Sequence, residues 1–230
     1  MSYTEVTNTS YLSRIGSSLK GILFGLVLML IAFSLLFWNE GRAVKQHKTL
    51  QEGSSIVISV ASAEVDPAAE GKLVHIFGMA ESEESLTDQQ FGVQSPHSIK
   101  LKRVVNMYQW KESSTTKTEK KLGGGEQQTT TYTYSKEWSG NPIQSGSFKQ
   151  PEGHQNPGTM HVETHELTAE KVNLGAFLLT RSLVAKINSY KPLAIDSEIP
   201  LPQVSGRSGI REINGFYFGR NASQSEVGDL

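Results

Sequence analysis

An uninterrupted apolar run near the N-terminus is the feature that most limits how this chain can fold. The run, GILFGLVLMLIAFSLLFW, occupies residues 21–38, and none of its 18 residues carries a charge. At about 1.5 Å of rise per residue, a helix of this length extends roughly 27 Å, close to the hydrocarbon thickness of a bilayer. Lys20 precedes the run, and Trp38 ends it with an aromatic ring of the kind favoured at the membrane–water boundary. The run therefore predicts a transmembrane helix whose ends are Gly21 and Trp38.

A cleaved signal peptide and a buried globular helix both fit the apolar run less well. A signal peptide has an apolar region of about 7–15 residues followed by small residues, whereas residues 35–40 here read Leu-Leu-Phe-Trp-Asn-Glu. A buried globular helix would need apolar neighbours on every side, and only 37% of the chain is hydrophobic. Gly21 and Gly25 have the spacing at which two membrane helices can approach closely, so self-association into a homo-oligomer is a further candidate property.

Charge and cysteine content exclude several classes of function. The chain contains 22 Lys and Arg and 23 Asp and Glu, which gives a formal net charge of −1. Binding of nucleic acid through bulk charge needs a basic face, so we expect no nucleic-acid partner. The absence of cysteine rules out disulfides, thiolate catalysis and iron–sulfur clusters. We expect no cofactor.

The sequence on either side of the run predicts a polar tail and a polar domain. Residues 1–20 are rich in Ser and Thr and form the predicted tail, and residues 43–230 form the predicted domain. β-branched and alternating patterns predict strands at residues 55–60, 72–79, 98–111, 129–138 and 159–165. The fold class is therefore α+β: a single N-terminal transmembrane helix followed by a strand-rich domain.

Two further features are predicted inside the polar domain. Residues 112–128 are polar, include Gly123-Gly124-Gly125 and separate two strands, which predicts a β-hairpin with a protruding tip. Residues 174–187, LGAFLLTRSLVAKI, space their apolar side chains for one face of a helix, and Pro192 follows. One amphipathic helix is therefore expected over residues 174–187.

A metal site is the strongest catalytic candidate in the sequence. His161, Glu163 and His165 would project from one face if residues 159–165 form a strand. Two His and one carboxylate can bind zinc. The segment lacks the HExxH order, however, and a solvated strand face accounts for it better. We assign no catalytic residue and no metal ligand and expect a protein that is not an enzyme, with a membrane-bound metal-dependent hydrolase as the alternative.

Short motifs along the chain point to a known family. They are NEGRA (39–43), LQEG (50–53), GKLVHIFG (71–78), MYQW (107–110), YSKEW (134–138), HQNP (154–157) and EVGDL (226–230). With these motifs in this order, the sequence resembles the transmembrane protein 43 family, also called LUMA, and we expect a bacterial member. The resemblance implies one N-terminal membrane helix, a polar domain on the lumenal or extracytoplasmic side, and further membrane helices towards the C-terminus. We therefore expect a fragment that is truncated before those helices, with an incomplete polar domain.

The resemblance also implies a role in organising membranes through protein partners and self-association, with no catalytic residues to transfer. We predict a membrane-anchored scaffold whose polar domain is periplasmic or otherwise extracytoplasmic. Its expected partners are the lipid bilayer and other membrane or envelope proteins. The loop with His154, Asn156 and Pro157 is a candidate partner-facing surface, although a tight structural turn accounts for it equally well. A lipid-handling module is a further alternative.

Overall fold

A computed structural model describes residues 2–220 and 223–230 of the chain. Met1 of the predicted tail and residues 221–222 of the predicted polar domain lie outside the described residues. The chain divides into two compact units. The first comprises Met1–Val60, Pro67–His75 and Ser113–Thr133, and the second comprises Ala61–Asp66, Ile76–Glu112 and Tyr134–Leu230.

Strand β1 (Ser2–Thr9), which lies in the predicted tail, comes first, and one long helix and a series of strands follow it. The helices are α1 (Tyr11–Ile56) and α2 (Arg181–Val184), and short 3-10 turns occur at Pro67–Ala69 and Ser145–Ser147. The strands are β1 (Ser2–Thr9), β2 (Ile58–Ala61), β3 (Val74–Phe77), β4 (Ala80–Glu81), β5 (Leu86–Asp88), β6 (Val93–Ser95), β7 (Lys100–Arg103), β8 (Met107–Lys120), β9 (Glu126–Ser139), β10 (His165–Thr168), β11 (Asn173–Leu174), β12 (Phe177–Leu178), β13 (Gln203–Val204), β14 (Arg207–Ser208), β15 (Ile210–Glu212) and β16 (Gly215–Tyr217). This arrangement confirms the α+β class with one candidate transmembrane helix.

Small sheets organise the strands. Two have three strands, in the orders β1-β9-β8 and β12-β11-β4, and β10 pairs with β7. The remaining pairs join strands that follow one another in the chain: β2-β3, β5-β6, β13-β14 and β15-β16. Most of these pairs are therefore local, whereas β1-β9, β7-β10 and β4-β11 join strands that are distant in sequence.

Helix α1 is longer than the predicted transmembrane segment. It begins after Ser10, whose Oγ accepts a hydrogen bond from the Ser13 N–H, and it ends where Val57 adopts an extended conformation. Residues 21–38 lie within it, as predicted, but part of the predicted tail and the predicted strand start at residue 55 are also helical. Residues 43–56, which the prediction places in the polar domain, belong to α1 as well. No proline interrupts residues 11–56, so nothing forces the helix to stop at the edge of the apolar run.

The predicted glycine-rich hairpin is present with a shorter loop than expected. Strands β8 and β9 flank residues 121–125, and the Lys121 N–H donates to the Gly125 carbonyl at 2.8 Å. Gly123 and Gly124 have φ angles of +96° and +82°, which glycine adopts without strain. Most of the polar stretch 112–128 is therefore strand rather than loop.

Three other predictions of secondary structure need correction. The predicted strand 98–111 is two strands, because β7 pairs with β10 whereas β8 pairs with β9. The strand predicted at 159–165 begins only at His165. The amphipathic helix predicted at 174–187 is reduced to Arg181–Val184, since Gly175 turns the chain at a φ of +60° and β11 and β12 pair across it.

Two apolar clusters form the core of the second unit. The first contains Phe91, Val105, Val162, Val204 and Phe218. The second contains Leu86, Ala169, Val172 and Val184, so the few helical residues of α2 do bury an apolar side chain as the amphipathic pattern indicated. Because both clusters join residues that are distant in sequence, burial of their side chains determines the arrangement of this unit.

Candidate membrane anchor and interaction surfaces

Among the described residues, the predicted anchor is exposed along its apolar segment. None of the described residues Tyr11–Ile56 is buried, and Leu30 and Phe37 are 63% and 86% exposed. Within the described chain, α1 is the one helix long and apolar enough to cross a membrane. Exposed apolar area costs about 25 cal/mol per Å² in water, so this segment needs an apolar surrounding. A bilayer provides it between Gly21 and Trp38.

Beyond Trp38 the helix continues as a polar stalk. Residues 39–56 remain helical and would extend about 27 Å past the apolar segment at about 1.5 Å per residue. The stalk includes Glu40, Arg42, Lys45 and Lys48. It therefore suits an aqueous environment next to the membrane.

Three large exposed apolar side chains lie on the sheet β12-β11-β4 or in the residues that lead into it. Ala80, Leu174 and Phe177 pair across the sheet and form its inner row. Alternate side chains point to the opposite face, where Leu178 shares its row with Asn173 and Glu81. Leu178 is 66% exposed, and Phe77 and Met79, which precede β4, are 69% and 76% exposed. We call this set the outer apolar face. Several large exposed apolar side chains within one part of a surface mark interaction sites more often than a single one does.

A groove crosses the second unit and has an aromatic wall. Its volume is about 1840 Å³. Phe91 stacks on Phe216 at 6.1 Å between ring centroids and meets the edge of Phe218 at 5.9 Å. The Arg103 guanidinium lies 4.5 Å from the Phe91 ring and pairs with the Asp88 carboxylate at 2.6 Å. An apolar or amphiphilic ligand would suit this lining.

The loop predicted to face a partner points two of its side chains into the second unit. His154 is 3% exposed, stacks on Tyr134 at 4.0 Å and meets the edge of Trp110 at 4.7 Å. The Asn156 side chain accepts a hydrogen bond from the Trp110 N–H at 2.7 Å and donates to the Trp110 carbonyl at 2.9 Å. Pro157 lies beside Gly228. These contacts match the alternative of a tight structural turn, and a partner at the outside of the loop stays a prediction.

The three candidate metal ligands do not share a strand. His161 and Glu163 precede β10, and only His165 lies in it. All three side chains are exposed. Among residues 2–220 and 223–230, no group of three or more His, Asp or Glu side chains is placed to hold a metal ion. The geometry that the zinc hypothesis required is therefore not present in the described part of the chain.

Asp229 belongs to a buried polar cluster that the sequence does not predict. Asp229 is 1% exposed, and its carboxylate accepts hydrogen bonds from the Tyr217 hydroxyl at 2.5 Å and the Glu226 N–H at 2.7 Å. The Arg207 guanidinium also donates to it, at 3.3 Å. Burial first, and then the Asp229 carboxylate, raise the pKa of Tyr217 to about 12. The EVGDL motif contains Asp229, but nothing in its pattern indicates a buried carboxylate.

Comparison with known proteins adds an independent observation. A family model described as Transmembrane protein 43 matches residues 107–230. Transmembrane protein 43 of Rattus norvegicus is 38% identical over 228 residues, which cover 99% of this chain and 56% of the rat protein. The human protein of that name is 38% identical over 96% of the chain and 54% of its own length. The Transmembrane protein 43 homolog of Drosophila melanogaster is 32% identical over 90% of the chain and 54% of its own length.

The matches cover nearly all of this chain but only part of each relative. The chain spans about half the length of the curated relatives it matches. No solved structure matches it. The family model alone covers more than half of the chain and includes the hairpin β8-β9 and the EVGDL motif.

Proposed function

The chain belongs to the transmembrane protein 43 family, and from this membership we propose that it is a membrane-anchored, non-catalytic scaffold that binds other membrane proteins. The outer apolar face carries the proposal. Met79, which precedes β4, and Leu178, in β12, are 76% and 66% exposed. A strand-rich domain held at a membrane by one helix, with an apolar face in water, suits protein–protein contact.

We propose further that the strand-rich part lies on the extracytoplasmic side, as the family resemblance implies. Because the chain has no cysteine, one cysteine reports on one position. A membrane-impermeant maleimide should label Leu122→Cys, at the fully exposed hairpin tip, in intact cells. Ser34→Cys, inside the apolar run, should stay unlabelled and serves as the control. Labelling of Leu122→Cys only after permeabilisation would contradict this orientation.

Site-specific photo-crosslinking tests the scaffold role. A photoreactive residue at position 79 or 178, with the chain in its own membrane, should give adducts of one defined mass. The same residue at Ile213, which is 81% exposed outside this face, is the matched control and should give none of that mass. Equal adducts at all three positions would indicate random collision. Absence of adducts at 79 and 178 would contradict the scaffold proposal.

A lipid-handling module is the second candidate, because of the groove in the second unit. The groove volume of about 1840 Å³ exceeds the roughly 300–1,000 Å³ of a typical small-molecule pocket. Lipid extracted from the purified chain should then be stoichiometric, and it should fall with Val93→Trp, which fills part of the groove. Ile213→Trp, outside the groove lining, is the control. Equal amounts of bound lipid in the Val93→Trp and Ile213→Trp variants would show that the lipid is held by the membrane anchor and not by the groove.

Metal analysis tests the alternative of a metal-dependent hydrolase directly. Chain purified with and without a chelator should contain no stoichiometric metal if the scaffold proposal is correct. A stoichiometric metal that is lost in His165→Ala would favour the hydrolase.

A further inference from the structure

Strands β1 and β9 lie on either side of the apolar run in the sequence, yet they pair in the structure. The antiparallel register extends from Ser2 opposite Thr133 to Thr9 opposite Glu126. When a helix crosses a bilayer once, the residues before and after it lie on opposite sides, and polar strands with open edges do not run through hydrocarbon. The pairing of β1 with β9 and the insertion of residues 21–38 therefore exclude each other within one molecule.

Insertion of α1 thus uncovers the edge of β9 that β1 occupies here. Residues 127–133 of this edge, QQTTTYT, carry no charge and no proline. Natural sheets usually protect a free edge with charged side chains, proline or a bulge. The neighbouring strand β8 has such protection, because Lys117, Glu119 and Lys120 lie along the same stretch of the hairpin. The β9 edge, in contrast, has the composition of an edge that is covered.

The contacts with β1 show what kind of segment the edge accommodates. The rings of Tyr3 and Tyr132 lie 6.1 Å apart, and the Tyr132 hydroxyl donates to the Glu5 carboxylate at 3.4 Å. The Lys121 ammonium donates to the Asn8 side-chain oxygen at 2.7 Å. The edge therefore fits an extended polar segment that alternates hydroxyl side chains with an aromatic and an acidic residue.

We propose that, in the membrane, the β9 edge binds an extended segment of another protein on the same side, which joins the sheet as an added strand. Main-chain hydrogen bonds give such strand addition its affinity, and alternate side chains give it specificity. This proposal rests on the scaffold role, and it specifies that the bound segment of the partner is an extended strand. Strand β1 of a second copy inserted in the same direction cannot be this segment, because it lies across the bilayer.

The first experiment asks whether the β9 edge is uncovered in a bilayer. Neighbouring antiparallel pairs alternate in geometry, so two double-cysteine variants are needed: Val6→Cys with Thr129→Cys, and Thr7→Cys with Gln128→Cys. Both should stay reduced under mild oxidation in nanodiscs. The control, Thr116→Cys with Thr130→Cys, joins β8 to β9 where the hydroxyls lie 3.0 Å apart, and it should form a disulfide. Complete oxidation of either test pair would overturn the proposal.

The second experiment asks whether the uncovered edge takes a strand. The probe is a peptide of residues 2–9 that carries Val6→Cys, and it is offered to nanodisc-held chain with Thr129→Cys. Mixed disulfide should form there, and it should be lost with the same peptide carrying Thr4→Pro, which removes a backbone donor. Trapping that is equal at Leu122→Cys, or unaffected by the proline, would overturn strand addition. Disulfide-linked dimers of the Thr129→Cys chain in the absence of peptide would also overturn the proposal, because they would show that the β9 edge pairs with a second copy of the chain. The results of these two disulfide experiments do not depend on photo-crosslinking at position 79. The scaffold proposal and the strand-addition proposal can therefore fail independently of each other.

Discussion

The Tyr217 hydroxyl donates a hydrogen bond of 2.5 Å to the Asp229 carboxylate, and both side chains are buried. This hydrogen bond connects the EVGDL segment (226–230) to strand β16. Next to it, Leu230 and Phe218 exchange backbone hydrogen bonds, and the Tyr108 N–H donates to the Asp229 carbonyl at 2.9 Å. This segment therefore joins β16 to the start of β8 and completes that part of the second unit.

We expect Tyr217→Phe to destabilise the second unit by about 1–2 kcal/mol, because Asp229 loses one of its hydrogen-bond donors while it stays buried. The melting temperature of the chain in nanodiscs, followed by circular dichroism, measures the effect. Tyr3→Phe, in the first unit, is the control and should change the melting temperature of the second unit little.

The same contact predicts a dependence on alkaline pH. Burial and Asp229 raise the pKa of Tyr217 from 10.0 to about 12. A raised pKa stabilises the protonated form in the fold, so this contribution is complete below about pH 10 and is lost as pH rises from about 10 through about 12. The difference in stability between the wild type and Tyr217→Phe should shrink over that range. A difference that stays constant from about pH 9 to about 12 would contradict the assignment.

The sequence was sufficient to predict the elements that depend on local chemistry. An apolar run without charge predicts a membrane helix whatever surrounds it, and Gly123 to Gly125 between two Thr- and Tyr-containing stretches predict a hairpin tip. The correct class followed from the apolar run together with the β-branched and alternating runs in residues 43–230. The apolar spacing of residues 174–187 did not identify the buried positions, since Val184 is buried whereas Leu178 and Leu183 are exposed.

The remaining features depend on contacts between residues that are distant in sequence. The apolar spacing of residues 174–187 resembles a helix, but pairing of β11 with both β4 and β12 overrides it, and Gly175 permits the turn. The division of strand 98–111 follows from two different partners, β10 and β9, which no local pattern identifies. The inward position of His154 likewise requires Tyr134 and Trp110, which only the folded hairpin brings to it.

The Asn156 side chain takes the place of a strand partner for Trp110 at the start of β8, which gives a third prediction. Its side chain bonds both backbone groups of Trp110 and donates to the Ile143 carbonyl at 3.2 Å. Asn156→Asp would keep the acceptor but lose both donated bonds and place a carboxylate against two carbonyls. We expect a loss of about 1–3 kcal/mol. Gln155→Glu, at the exposed neighbouring position, should be nearly neutral, and an equal loss there would attribute the effect to added charge alone.

Two glycines with positive φ should respond differently to the same substitution. A Cβ at Gly175 would fall on the Ser62 carbonyl, well inside van der Waals contact, whereas a Cβ at Gly153 meets nothing within 4 Å among the described residues. Both have positive φ, at +60° and +80°. Gly153→Ala should cost about 1 kcal/mol from backbone strain, and Gly175→Ala should cost at least about 2 kcal/mol more because the chain must also move. Equal melting temperatures for the two variants would show that Ser62 does not approach Gly175 closely.

Glu84 predicts a dependence on acidic pH. Its carboxylate accepts the backbone N–H groups of Glu170 at 3.0 Å and Lys171 at 2.7 Å, and these bonds, first that from Glu170, lower the pKa of Glu84. A lowered pKa means that the contribution is present above the ordinary value of 4.5 and is lost as pH falls through the folded-state value. Acid titration of the melting temperature should therefore be less steep below pH 4.5 in Glu84→Gln. The adjacent Glu83→Gln should follow the wild type, and identical profiles for all three chains would contradict the contact.

Leu30 and Leu50 allow a direct test of the membrane anchor, because both lie on α1 and are almost equally exposed, at 63% and 64%. Leu30 is in the middle of the apolar run, whereas Leu50 is in the polar stalk. A lysine at the centre of a membrane helix costs about 2.5–3.5 kcal/mol on insertion scales, and a lysine in water costs little. We expect Leu30→Lys to reduce the alkali-resistant membrane fraction of the chain and Leu50→Lys to leave it unchanged. Equal effects of the two lysines would mean that depth in a bilayer does not distinguish these positions, and α1 would then not be inserted as residues 21–38 predict.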